Sequence, residues 1–181
     1  MQLHRFLLTI LPSPALSSEV DRLKALVHER VGSFSGRNTV PHITLFVADL
    51  PIEFEQHICE GVARGVVGHE EFLLHYQGIT HFPDKRVIYI DPVEKEAIAT
   101  IRTSIVTSLR GYPAVSDVIS ATEHPHLTIA AGLKPAQFEK AWELLAPHAF
   151  TGEERVTEVV LLRRSLKPGT RYEHVRSFPL G

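Results

Sequence analysis

The sequence predicts an α+β fold: two antiparallel-sheet lobes related by an approximate two-fold, facing a central groove, with helices on the outside. Three observations carry this. A stretch of the chain is repeated without a gap, each half opens on a short β-rich apolar run, and each run is followed by an amphipathic segment with helical spacing.

The repeat comes first. Val40 to Gln56 (VPHITLFVADLPIEFEQ) laid over His124 to Lys140 (HPHLTIAAGLKPAQFEK) puts Pro41, His42, Thr44, Pro51, Phe54 and Glu55 on Pro125, His126, Thr128, Pro135, Phe138 and Glu139, six identities in seventeen positions. Ile43 and Leu45 face Leu127 and Ile129 in the same alignment. Packing explains why proline, phenylalanine and the apolar pairs recur. It supplies no reason to keep two imidazoles.

Around the motifs the elements follow in order. RFLLTILP from Arg5 and RVIYIDP from Arg86 read as strands ended by proline. Val20, Leu23, Leu26 and Val27, and in the second half Ile98, Ile101, Ile105 and Leu109, recur at helical spacing. Each half then runs into its His-x-Thr strand, a helix opened by Pro51 or Pro135, and a last apolar strand near 71–79 or 156–163. The C-terminal SLKPGTRYEHVRSFPLG, with its Pro168-Gly169 turn, reads as a hairpin returning to a sheet. Residues 1–181 are thus expected to form one bilobal domain whose halves are about 1–80 and 81–181.

Composition narrows the function. With 44% hydrophobic and 22% charged residues the chain has ordinary globular composition, and a net charge of −2 does not suit a protein that grips a long nucleic-acid backbone. A nucleic-acid substrate is expected to be short or held at one end. The single cysteine, Cys59, has no intrachain partner, which fits a reducing compartment. The apolar run Phe6 to Leu11 is too short for a secretory signal and is stopped by Pro12, and no stretch approaches the ~18 apolar residues of a membrane span. The expectation is a cytoplasmic monomer with no membrane partner.

On a strand, residues two apart share a face, so His42 with Thr44 and His126 with Thr128 each present one polar face while the intervening apolar residues turn inward. Brought to opposite walls of one groove, the pairs suit a phosphodiester. Two imidazoles supply a general base and a general acid near neutral pH, and the threonine hydroxyls donate to the non-bridging oxygens. That chemistry requires no metal or other cofactor. Although His124 and His126 are spaced to share a face, zinc wants three or four ligands and no companion appears at usable spacing. Thr128 stands where a histidine-triad hydrolase would have its third histidine.

The paired PHITL and PHLTI motifs, the bilobal repeat, the RVIYI strand and the terminal RRSLKPGTRY…FPL resemble the 2H phosphoesterase superfamily, especially its 2′-5′ RNA ligase and cyclic nucleotide phosphodiesterase-like members. The resemblance covers nearly the whole chain. It implies a metal-independent phosphodiesterase acting on 2′,3′-cyclic phosphate or 2′-5′-linked RNA or nucleotide, with a small nucleotide or RNA end as substrate and the two His-x-Thr motifs as catalytic set. By the same resemblance Arg86 and Tyr172 are candidate substrate-binding residues. Ala130 and Ala131 depart from the arginine that ligase-like members often carry after the second motif. The alternative reading is a non-catalytic module of the same fold that binds a nucleotide or RNA end.

Overall fold

The structure, a computed structural model, describes residues 2–82 and 84–181; Met1 and Pro83 lie outside the described residues. Among the described residues the chain runs β1 (Leu3–Ile10), α1 (Pro14–Val31), β2 (Ile43–Pro51), a 3-10 turn (Ile52–Phe54), α2 (Glu55–Gly65), β3 (Phe72–Phe82) and β4 (Val87–Pro92). It continues through α3 (Lys95–Leu109), a single turn α4 (Pro113–Ser116), β5 (Ser120–Ala121), β6 (Leu127–Ala130), α5 (Pro135–Leu145), β7 (Thr151–Val156), β8 (Glu158–Ser165) and β9 (Glu173–Pro179).

Local chemistry explains several boundaries. Ser13 accepts from the Leu16 N–H and Pro14 fills the first turn, so α1 begins before its first periodic residue, Val20. Gly32, at φ 77°, closes that helix. The helices α2 and α3 approach closely because Gly61 and Gly65 face Leu109 and Ile105: a Cβ at Gly65 would stand 2.4 Å from the Ile105 Cα.

The strands are antiparallel and lie in the order β7-β3-β4-β6-β2-β1-β8-β9, with β5 on β2. The α+β class is therefore as expected, but the two predicted sheets are one hydrogen-bonded path narrowed at its middle. There Ile43 of β2 pairs with Leu127 of β6. Four strands lie on either side of that junction, and the order is symmetric about it. The two sequence halves exchange their third strands, since β3 pairs with β4 while β8 pairs with β1. A boundary near residue 80 divides the sequence but not the sheet. The motif-one lobe is thus β1, β2, β8 and β9, and the motif-two lobe β3, β4, β6 and β7.

One apolar core joins strand and helix faces: Ile43, Leu45, Leu127 and Ile129 lie in it with Val20, Leu23 and Val27 of α1 and Ile98, Ile101 and Ile105 of α3. Burying a Leu, Ile or Val side chain stabilises by about 1.5–3 kcal/mol, so the inward residue of each motif ties its polar neighbours to a rigid support.

Candidate active site

Each histidine stands one residue ahead of its strand, and each threonine is the second strand residue. In both copies the residues run buried, partly exposed, buried, partly exposed from proline to threonine. Ile43 and Leu127 are fully buried, so His42, Thr44, His126 and Thr128 share the opposite face. Because Ile43 pairs with Leu127, continuing the register sets His42 across from Thr128 and Thr44 across from His126. The histidines then occupy one diagonal of the junction, at a separation of about 7–8 Å in an antiparallel pair. The expected symmetry is literal at this point.

The ring geometry repeats as well. His42 Nδ1 is 2.7 Å from the Val40 carbonyl and His126 Nδ1 is 2.7 Å from the His124 carbonyl. A carbonyl only accepts, so Nδ1 carries the proton in both rings and Nε2 is left with its lone pair when the ring is neutral. Neither Nε2, nor the hydroxyl of Thr44 or Thr128, has a protein hydrogen-bond partner among the described residues. Burial lowers the pKa of His42 from its ordinary value, the Val40 carbonyl opposes that shift, and the positive charges of Lys24 and of a protonated His126 add to it. Burial likewise lowers His126, against its bond to the His124 carbonyl, with Lys85 and His124 pushing the same way.

Beyond the motifs the symmetry breaks. Thr9 of β1 pairs with Thr44, and its hydroxyl donates to the Ile43 carbonyl at 2.7 Å. Tyr89 of β4 pairs with Thr128 in the equivalent place and presents a ring. The Phe82 ring stacks on Tyr89 at 4.4 Å, and both meet the His126 ring edge-on, with centroids 5.2 and 5.3 Å away. Lys85 Nζ lies 5.7 Å from the Phe82 centroid. Phe82, Lys85 and Tyr89 are absent from the sequence-based set. For Tyr89 the signal is present, since Ile88 and Ile90 turn into the core and leave it on the opposite face of β4, beside Thr128. Phe82 and Lys85 reach the site through the β3–β4 hairpin, where Phe82 pairs with Val87.

Of the two remaining candidates, Tyr172 packs over Leu7, Val160 and Leu162, with the Arg164 guanidinium 5.3 Å from its ring. Leu7 shares its strand face with Thr9, so Tyr172 lies on the face of β1 that carries Thr9. Arg86 takes a left-handed backbone conformation, φ 49°, at the end of the β3–β4 hairpin. Its Nε donates to the Leu133 carbonyl at 2.9 Å, tying the start of β4 to the loop before α5. Hollows of about 440 and 410 Å³ flank β7, and neither is lined by a motif residue. Among the described residues no group of three or more His, Cys, Asp or Glu is disposed to hold a metal ion, and no helix is long and apolar enough to cross a membrane.

The fold has clear counterparts among solved structures, although no curated protein sequence matches the chain. Escherichia coli LigT complexed with 3′-AMP superposes with a TM-score of 0.68 at 17% identity, covering 99% of each chain. TT0787 of Thermus thermophilus gives 0.72 at 18% identity over 97% of each, and the crystal structure of a phosphoesterase gives 0.64 at 18% over 99% of each. At those identities the likeness concerns the fold. The sequence itself matches the 2′-5′ RNA ligase superfamily over residues 12–168, and this chain belongs to that family.

Proposed function

We propose that this protein is a phosphodiesterase that opens a 2′,3′-cyclic phosphate or cleaves a 2′-5′-linked RNA or nucleotide by general acid-base catalysis. Membership of the superfamily supports a phosphoesterase-type function. The finer reading rests on one observation: two His-x-Thr motifs adjoin at Ile43 and Leu127, each ring fixed through Nδ1 and presenting Nε2. One neutral imidazole takes a proton from water as it attacks phosphorus in line. The other, as imidazolium, protonates the departing ribose oxygen. Thr44 and Thr128 donate to the non-bridging oxygens, where charge grows in the transition state.

Both histidines have lowered pKa values, which suits a base and handicaps an acid. The substrate resolves this. A phosphate anion between the rings favours the protonated form of each, so binding supplies the acid its proton. The Phe82-Tyr89 stack is a platform for the base of a nucleotide, with Lys85 and Arg86 adding positive charge and Tyr172 closing the opposite wall. Escherichia coli LigT has been crystallised in complex with 3′-AMP, ATP and NADP⁺, ligands consistent with such a groove. Turnover of a 2′,3′-cyclic mononucleotide in EDTA tests the proposal. Product formation is expected. Tight binding of the nucleotide with no turnover, with or without added divalent metal, would instead favour the binding-module reading.

A further inference from the structure

Two cations occupy equivalent places in the repeat. Val20, Leu23, Lys24 and Val27 of α1 fall on Ile98, Ile101, Arg102 and Ile105 of α3 at a constant offset of 78 residues. The six apolar members are core residues. The cations between them point to the same kind of target. Lys24 Nζ donates to the Thr39 carbonyl at 2.5 Å, three residues ahead of His42. Arg102 Nη1 donates to the Thr122 carbonyl, four residues ahead of His126.

The two targets lie where the chain leaves the sheet. Ser35 bridges to Ala131 just past β6, and Ala121 pairs with Phe46 of β2; each segment then bulges away and rejoins the junction at Ile43 or Leu127. The bulges carry the Val40 and His124 carbonyls that hold the imidazoles. Lys24 is only 2% exposed, and its nearest carboxylate oxygen, on Asp21, is 3.9 Å away. A position needing only apolar packing would not place an ammonium there, because burying that charge is costly unless it meets a partner. The Thr39 carbonyl is the close partner it meets.

We propose that Lys24 and Arg102 are paired positioning residues: each clamps, from the helix of its own half, the loop that ends in that half's catalytic histidine. The inference rests on the reading that both imidazoles act on one phosphate. The two clamps differ in one respect. His42 is faced by Lys24 and by His126, and Arg37 stands beside Lys24; His126 is faced by Lys85 and His124. Removing Lys24 therefore takes away a positive charge that bears on His42 and raises its pKa. Removing Arg102 loosens a loop and leaves the charges facing His126 as they are.

The test is cyclic-nucleotide turnover together with NMR of the histidine rings, on Lys24→Met, Arg102→Met, Arg102→Lys, His42→Ala and His126→Ala. Both methionine variants should lose kcat on the order of tenfold with little change in KM, and Arg102→Lys should recover most of it. The His42 pKa should rise in Lys24→Met and stay unchanged in Arg102→Met. Folded methionine variants that keep kcat within about twofold, while the histidine variants are dead, overturn the clamp and leave the catalytic reading standing. Active histidine variants overturn both. Should Lys24→Met fail to fold, Arg102→Met and its recovery by lysine decide alone.

Discussion

The two motif loops are near copies, whereas the walls beside them are not. Around His42 and His126 the proton position, the upstream carbonyl acceptor and the facing threonine all repeat. One step outward, the motif-one lobe offers Thr9, bonded to the Ile43 carbonyl, while the motif-two lobe offers Tyr89 stacked with Phe82 beneath Lys85. A phosphate is close to symmetric and a nucleotide is not. On the proposed function, the duplicated part would serve the reacting group and the divergent part what is attached to it.

The comparison breaks most severely if the repeated part is not one unit. His42→Ala and His126→Ala are each expected to lower kcat by about 100-fold or more, and the double variant to cost little beyond the worse single one, because acid and base serve the same step. Steady-state kinetics on the three proteins read this directly. Full turnover in either single variant would reduce the site to one working histidine. Thr44→Val and Thr128→Val should follow at about tenfold each, and nearly equally, since each removes one donor to a non-bridging oxygen. A marked inequality between them would mean that the phosphate sits off the symmetry axis.

The divergent part should show itself in KM. Phe82→Ala removes a stacking surface worth about 1–3 kcal/mol per base, so KM for a cyclic mononucleotide should rise on the order of tenfold with kcat nearly kept. Tyr172→Ala, on the opposite wall, should move it less. If Tyr172 proves the larger, the base lies on the motif-one side.

The smallest effect is on stability. Both rings are held below their ordinary pKa of 6.5 chiefly by burial, so the folded protein keeps them neutral where the unfolded chain protonates them. Between those two values the unfolded state binds more protons, and stability falls as pH drops from about 6.5 until the folded-state pKa is reached. Denaturant titrations at pH 7.5 and 5.5 should show this loss, on the order of the linkage expected for a histidine, and His42→Gln should reduce it.

The repeat made the site legible because chemistry and packing were written into the same few residues: Ile43 and Leu127 mark the inward face, so His42 and Thr44, with His126 and Thr128, could be placed together. Strand pairing was not legible. Apolar alternation in β3 and β8 states that they are strands and says nothing of which neighbour they choose, so neither their exchange between halves nor the contact of Phe82 with Tyr89 and His126 is legible there. The edge strand β7 is illegible for another reason. Its residues TGEERV pair on one side only and are mostly exposed or partly exposed, so no apolar period betrays them. Lys24 and Arg102 sit among the apolar positions of their helices, and only the loops folded over them reveal their partners.

That both imidazoles face one phosphate is open to direct measurement by following the His42 and His126 ring resonances while inorganic phosphate is added. The account predicts that both rings respond with a single dissociation constant, that both pKa values rise on binding, and that His42→Ala weakens the response of His126 as well as removing its own. Phosphate that perturbs only one ring, or two rings with unrelated affinities, would contradict it.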